Sequence, residues 1–292
     1  MMRIALSFVA LAACSKTHNN AASNVMLGQP VHPFGVVSNV WLGMSKDEVK
    51  QKAPQLEPNN GKPDNEPNGD GRWYASPEGA SYGVRFKDGH VVSIEMQLMK
   101  RSEADLWKAW GPGVVFDPVV ERRHFFDPER GARADVSVVA NGESFAVTIQ
   151  PMVTFAKLLG EGPDATSFAG VRIIGRSAKE VADDFTAHHF EVHLNSSQDT
   201  QTGHVSMPPT EWTRGDSTDI TFDAKADGIV RSWSLMSSMD NVPEAKVATL
   251  AAYEHKWGKP TEDQHGSLVY GHNPTIMFEP KTLGIWVMPN YP

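Results

Sequence analysis

The chain has a single cysteine, Cys14, among its 292 residues. No intramolecular disulfide can form, so the fold must stand on its apolar core even in an oxidising compartment. Positive charge is also scarce. The 27 lysines and arginines face 35 aspartates and glutamates, a formal charge of −8, and no Lys/Arg block interrupts the sequence. Such a chain is a poor ligand for nucleic acid or for anionic headgroups, both of which bind through clustered positive charge. Beyond the N-terminus no apolar run is long enough to cross a bilayer as a helix. His-Glu-x-x-His, the phosphate loop and the dinucleotide fingerprint are missing as well. The expectation is therefore no cofactor, no nucleic-acid partner and no enzyme. The length suffices for two domains of ordinary size.

The N-terminus is the most informative stretch. Arg3 provides a minimal positive n-region, and Ile4 to Ala13 form an apolar run of signal-peptide length. The run closes in Leu11-Ala12-Ala13-Cys14. That tetrapeptide resembles the lipobox of bacterial lipoproteins. The resemblance implies cleavage before Cys14, a diacylglycerol thioether on its sulfur and a fatty acyl group (palmitate) on its amino nitrogen. Several acyl chains anchor stably where one does not. Position 15 is serine, whereas in those lipoproteins an aspartate there favours inner-membrane retention. The outer membrane, periplasmic face, follows as the expected location. The polar residues 15–33 read as a flexible tether.

Downstream, one pattern occurs twice. Gly43-Met44-Ser45-Lys46-Asp47-Glu48-Val49 is echoed by Gly175-Arg176-Ser177-Ala178-Lys179-Glu180-Val181. Each copy holds Ser-x-x-Glu, a capping box that opens a helix. The expected helices are 46–53, stopped before Pro54, and 178–187. Strand signals follow in both copies. The first is a hairpin turning at Asp88-Gly89. Second helices span 103–110 and 243–257 and end alike in Trp110-Gly111-Pro112 and Trp257-Gly258-Lys259-Pro260. Further strands close each copy at Pro151 and Pro289. The spacing between landmarks drifts, as loop insertions in a duplicated domain require. The expected organisation is signal peptide 1–13, lipidated tether 14–33, first repeat 34–157 and second repeat 166–292. The expected fold class is α+β, each repeat an antiparallel sheet with helices on one face in α-β-β-α-β-β order.

Gly-Met-Ser-x-x-Glu-Val opening a helix ahead of a sheet resembles the small outer-membrane lipoproteins of the BamE (SmpA/OmlA) type. The tandem arrangement is similar to β-lactamase inhibitory protein. Both resemblances imply protein binding rather than catalysis. The residues that carry them are Gly43, Met44, Ser45, Glu48 and Val49, with Gly175, Ser177, Glu180 and Val181. All are capping positions, which specify fold.

Other constellations read as structural. Gly79-Ala80-Ser81-Tyr82-Gly83 matches Gly-x-Ser-x-Gly, but a nucleophile elbow needs a strand before the serine and a helix after it, and here a strand signal follows. His188, His189, Glu191, His193 and His204 cluster. On a strand, His189, Glu191 and His193 share a face that two histidines and a carboxylate would offer to zinc; a polar strand face is the expected role, with no metal. Asp64, Glu66, Asn68, Gly69 and Asp70 resemble a calcium loop, yet the twelfth position is Ala75 where a bidentate glutamate belongs.

The leading functional expectation is a periplasm-facing module that binds another envelope or periplasmic protein, as an assembly factor, inhibitor or immunity protein. A small-ligand or metal-binding lipoprotein is the alternative, and an enzyme stands third. Period-two alternation locates the surface. In the first copy Val92, Ile94, Met96 and Leu98 alternate with Ser93, Glu95 and Gln97, and Phe145, Val147 and Ile149 with Ala146, Thr148 and Gln150. The apolar face belongs under helices and the polar one in water. In the second copy Trp286 stands at the position of Thr148, Met288 at that of Gln150 and Met236 at that of Gln97. A face carrying Trp286, Met288 and Met236 is a contact surface, either for an external partner or for the first copy. Cys14→Ser is expected to leave unprocessed precursor and abolish acyl labelling in cells; normal processing and labelling would rule out the anchor.

Overall fold

The computed structural model describes residues 31–58, 71–77, 79–99, 103–111, 113–117, 122–139, 144–161, 164–197, 199–211, 213, 218–236, 243–262, 267–270, 275–279 and 284–288. Cys14, the tether up to residue 30 and the calcium-like residues 64–70 lie outside them. Among the described residues there are five α-helices: α1 (Lys46–Lys52), α2 (Glu103–Trp110), α3 (Phe155–Leu159), α4 (Ala178–Ala187) and α5 (Pro243–Trp257). The strands of the first half are β1 (Glu57–Pro58), β2 (Gly71–Ala75), β3 (Ser81–Lys87), β4 (His90–Met99), β5 (Val114–Asp117), β6 (Arg122–Asp127), β7 (Ala132–Val138) and β8 (Ser144–Pro151). A short pair, β9 (Ser167–Phe168) and β10 (Val171–Arg172), precedes α4. The second half contains β11 (Glu191–Ser196), β12 (Thr200–Met207), β13 (Thr218–Lys225), β14 (Val230–Met236), β15 (Thr261–Glu262), β16 (Leu268–Tyr270), β17 (Thr275–Glu279) and β18 (Gly284–Met288).

The α+β class and the α-β-β-α-β-β order are overturned. The protein is mainly β. Four strands follow α1, and four more follow α2, all in one eight-stranded antiparallel sheet of order β1-β2-β3-β4-β8-β7-β6-β5. The second half builds its own eight-stranded sheet, β11-β12-β13-β14-β18-β17-β16-β15. The strands that the two-strand reading omits are short or polar. β1 and β15 have two residues each, and β11 carries only two apolar residues, Val192 and Leu194, among polar ones.

Local chemistry accounts for the element ends. Ser45 and Ser177 accept from the N3 amides of Glu48 and Glu180, whose carboxylates reach back to the cap amides, so both helices start on complete capping boxes. Gly111 and Gly258 take left-handed φ of +79° and +82° and donate to Trp107 and Glu254 carbonyls, which ends α2 and α5. Asp88 and Gly89, at φ +51° and +79°, make the tight turn between β3 and β4.

One face of the first sheet is apolar. Trp73, Val84, Ile94, Ile149, Ala134 and Phe125 form a single cross-strand row, buried with Val49 of α1 and with Leu106 and Trp110 of α2. Val31, Val37 and Val40 complete that core, so packed chain already begins within the segment read as tether. In the second sheet Val205, Ile220 and Leu235 share a row and pack with Val181 and Phe185 of α4 and Tyr253 of α5.

The opposite face of the first sheet does not simply meet water, as alternation predicts. At its β6–β8 end His124 and Arg133 are 0 % exposed and Asp135 is 7 % exposed. The cover comes from the connection between β12 and β13, which is longer than its counterpart between β2 and β3. Arg133 donates through Nη1 to the carbonyls of Thr210 (2.9 Å) and Thr213 (2.5 Å), while Nε and Nη2 bind Asp135 Oδ1 and Oδ2 at 2.8 and 3.0 Å. Pro209 accepts from the Val153 amide, and Glu211 from the Phe155 amide at the start of α3. Beside this clamp Phe126 and Met152 of the first half enter the apolar core of the second. Arg133→Met is expected to cost about 3–5 kcal/mol in urea unfolding, because Asp135 is then left buried and charged. Adding Asp135→Leu should recover part of that loss; a double variant no better than the single one would show that the ion pair is not its source.

Candidate functional site

The site is read from the faces of the two sheets that point away from the helices. Ladder registers align them without reference to sequence spacing. Ile94 pairs with Ile149 in the first sheet, and Trp233 pairs with Val287 in the second. Thr148 and Trp286 are therefore equivalent, as are Gln150 and Met288. Counting along β4 and β14 from Ile94 and Trp233 makes Gln97 and Met236 equivalent.

In the first sheet this face carries an ionic row. Glu95, Thr148, Asp135 and His124 are directly opposed across four strands, and Arg133 faces Gln150 one step along. Arg72 pairs with Glu95 at 2.6 Å near the open end. Gln150 donates to Asp135 at 2.9 Å, and His124 Nδ1 lies 2.6 Å from its other oxygen. Burial opposes ionisation of Asp135, but the contacts with His124 and Arg133 outweigh it and hold the carboxyl at about 2. Burial pushes the His124 imidazole below its ordinary range, with Arg133 and Arg122 acting the same way and Asp135 only partly compensating. A neutral ring in close contact with an ionised carboxylate fits both directions.

The same register in the second sheet gives different chemistry. Through the pairs Trp286–Met277 and Met277–Val269, the positions of Asp135 and His124 become Met277 and Val269, and that of Arg133 becomes Thr275. The ionic row has no counterpart there. Trp286 is opposite Ser234, and Met236 opposite Asp219. The side chains of Met236, Met277, Trp286 and Met288 lie outside the described residues.

The histidine cluster is partly dispersed. His189 lies in the turn after α4 at φ +64°, off the strand, so it does not share a face with Glu191 and His193. His193 faces His204 across β11 and β12, contacts Glu191 at 3.2 Å, and all three are exposed. His204 Nδ1 lies 3.2 Å from the Thr221 hydroxyl. Among the described residues no group of three histidines, cysteines or carboxylates converges as metal ligands do. Ser81 begins strand β3 rather than sitting on a strand-to-helix elbow. It lines a depression of about 250 Å³ with Gly79, Ala80, Gln97, Leu98, Met99 and Ser144, in which no base faces it. The clamp and its arginine are what sequence reading missed. Arg133 and Asp135 alternate with small apolar residues next to His124, the one local hint of a buried charged row.

The chain matches no protein-family model and no curated protein.

The ionic row makes stability pH-dependent in two windows. A folded-state histidine with lowered pKa stabilises fully above its unfolded value near 6.5, and the contribution is lost as pH falls below that. Asp135, held at about 2, contributes about 2–3 kcal/mol above pH ~4 that disappears on further acidification. Thermal melts from pH 7.5 to 3 should show both losses. His124→Gln is expected to remove the upper window and, because a contact that lowers the Asp135 pKa goes with it, to shrink the lower one; Asp135→Asn should abolish the lower one, and an unchanged profile in either variant would refute the assignment.

Proposed function

We propose that this chain is a lipid-anchored protein of the bacterial envelope, held by Cys14 on the periplasmic face of the outer membrane, that binds another envelope or periplasmic protein. The binding surface is the face of the second sheet carrying Trp286, Met288 and Met236. One observation carries the reading. Where the first sheet has Thr148, Gln150 and Gln97, the ladder-equivalent positions of the second are tryptophan and methionine. Tryptophan and methionine are enriched at protein interfaces, and leaving such side chains in water forgoes about 1.5–3 kcal/mol each relative to burial.

The first half supports the choice of an external partner. Its equivalent face already receives polypeptide, the segment with Thr210 and Thr213, and does so through charge and carbonyl contacts. The second sheet has exchanged that ionic recognition for apolar positions, which suit a partner with an apolar surface of its own. The amino-terminal signal and lipobox, together with Ser15, supply the location.

Crosslinking in the native envelope, followed by identification and purification of the captured protein, gives the ligand for a direct test. Trp286→Ala combined with Met288→Gln should weaken its binding at least tenfold, about 1.4 kcal/mol, with an unchanged melting temperature. Intact binding, or a loss confined to stability, would move this face from partner recognition to the protein's own packing.

A further inference from the structure

Among the described residues strand β11 is the longest edge of either sheet. The other edges, β1, β5 and β15, have two, four and two residues, whereas β11 has six. Among the described residues it pairs only with β12, in unbroken register from Glu191–Ser206 to Ser196–Gln201. An edge strand of this length is usually protected by a lysine, a proline or a bulge. β11 has no lysine, proline or bulge, and its one carboxylate, Glu191, stands at its first position.

The phase of its hydrogen bonds follows from the turn. The Ser197 amide donates to the Thr200 carbonyl at 2.9 Å. Antiparallel bonds alternate, so Asn195, His193 and Glu191 bond to β12. Val192, Leu194 and Ser196 direct their N–H and C=O groups outward, where no strand among the described residues meets them. Leu194 is 42 % exposed, an apolar side chain on the face that Val192 shares with the core.

We propose that two copies of this chain join edge to edge through β11, antiparallel, about a two-fold axis at Leu194. The outward groups are symmetric about that residue. Val192 of each copy therefore meets Ser196 of the other, and Leu194 meets Leu194, with all three outward residues bonded. The register keeps faces matched, so each leucine is covered by its counterpart. A shift of one residue would set leucine against histidine or asparagine. His193 falls opposite Asn195, and Glu191 opposite Ser197, so no charge confronts its like. An isologous contact of this kind closes as a dimer and leaves no further edge of comparable length. The proposal does not depend on the anchor or on the partner surface of the second sheet.

The test measures the mass of the full chain by analytical ultracentrifugation, where a dimer is expected. Leu194→Pro deletes an outward N–H and leaves the β12 ladder intact, so it should yield a folded monomer with an unchanged circular dichroism spectrum. Leu194→Lys, which places two charges on the axis, is the second variant and should also be monomeric. Under mild oxidation Leu194→Cys should form an intermolecular disulfide, because directly opposed residues are within bridging range. Asn195→Cys, displaced from its own counterpart, should not, with the unaltered chain as the control for Cys14. A monomeric unaltered chain, a dimer indifferent to both Leu194 substitutions, or crosslinking at Asn195 instead of Leu194 would overturn the proposal.

Discussion

Arg133 is the fixed point of the architecture. Its guanidinium is buried on a sheet face that would otherwise be solvated, and a buried charge is tolerable only when it is paired and hydrogen-bonded. Two of its nitrogens bind Asp135 and the third binds two carbonyls that belong to the other half. The second half is thereby part of the solvation shell of an ion on the first. Threonine hydroxyls then hold the clamp itself in shape: Thr210 and Thr213 bond to one another, and Thr213 to Thr218 at the start of β13. The chain of contacts runs from a strand of one sheet through a loop to the first residue of a strand in the other.

This arrangement explains why the two sheets have the same strand order and different outward faces. On the first sheet that face is an internal surface, specified by charge and hydrogen bonds that fix one orientation of the halves. On the second, the equivalent row loses its ions: serine, methionine, valine and threonine occupy their positions, and tryptophan stands where the first sheet has Thr148. Specific geometry is needed where two parts of one chain must meet in a single way. Apolar residues are sufficient where association is driven by area.

Much of the scaffold was legible because it rests on local chemistry. Helices α2, α4 and α5 coincide with the ranges predicted from their caps, glycine stops and prolines, and α1 ends one residue early. The β3–β4 hairpin turns at the predicted Asp-Gly pair. The strand count was not legible, since two-residue strands leave no period and β11 carries only two apolar residues among polar ones. Nor was the junction. Alternation reports which residues share a face but not what lies over it, and Arg133, Asp135 and His124 read the same whether water or a loop 77 residues away covers them. For Trp286, Met288 and Met236 the sequence gives the substitution and the ladder gives the position.

The clamp also orders events in time. Synthesis delivers Arg133, Asp135 and His124 well before Thr210 and Thr213 exist. Until then the first sheet can gather its apolar face against α1 and α2, but its ionic row stands in water and Phe126 has no core to enter. The first half alone would carry one face unfinished. Its last step depends on loop closure over a long stretch of chain, the kind of non-local contact that slows folding. Maturation of the two halves is consequently sequential in onset and joint in completion, and a chain truncated within the second half would leave a charged, half-desolvated surface on an otherwise finished sheet.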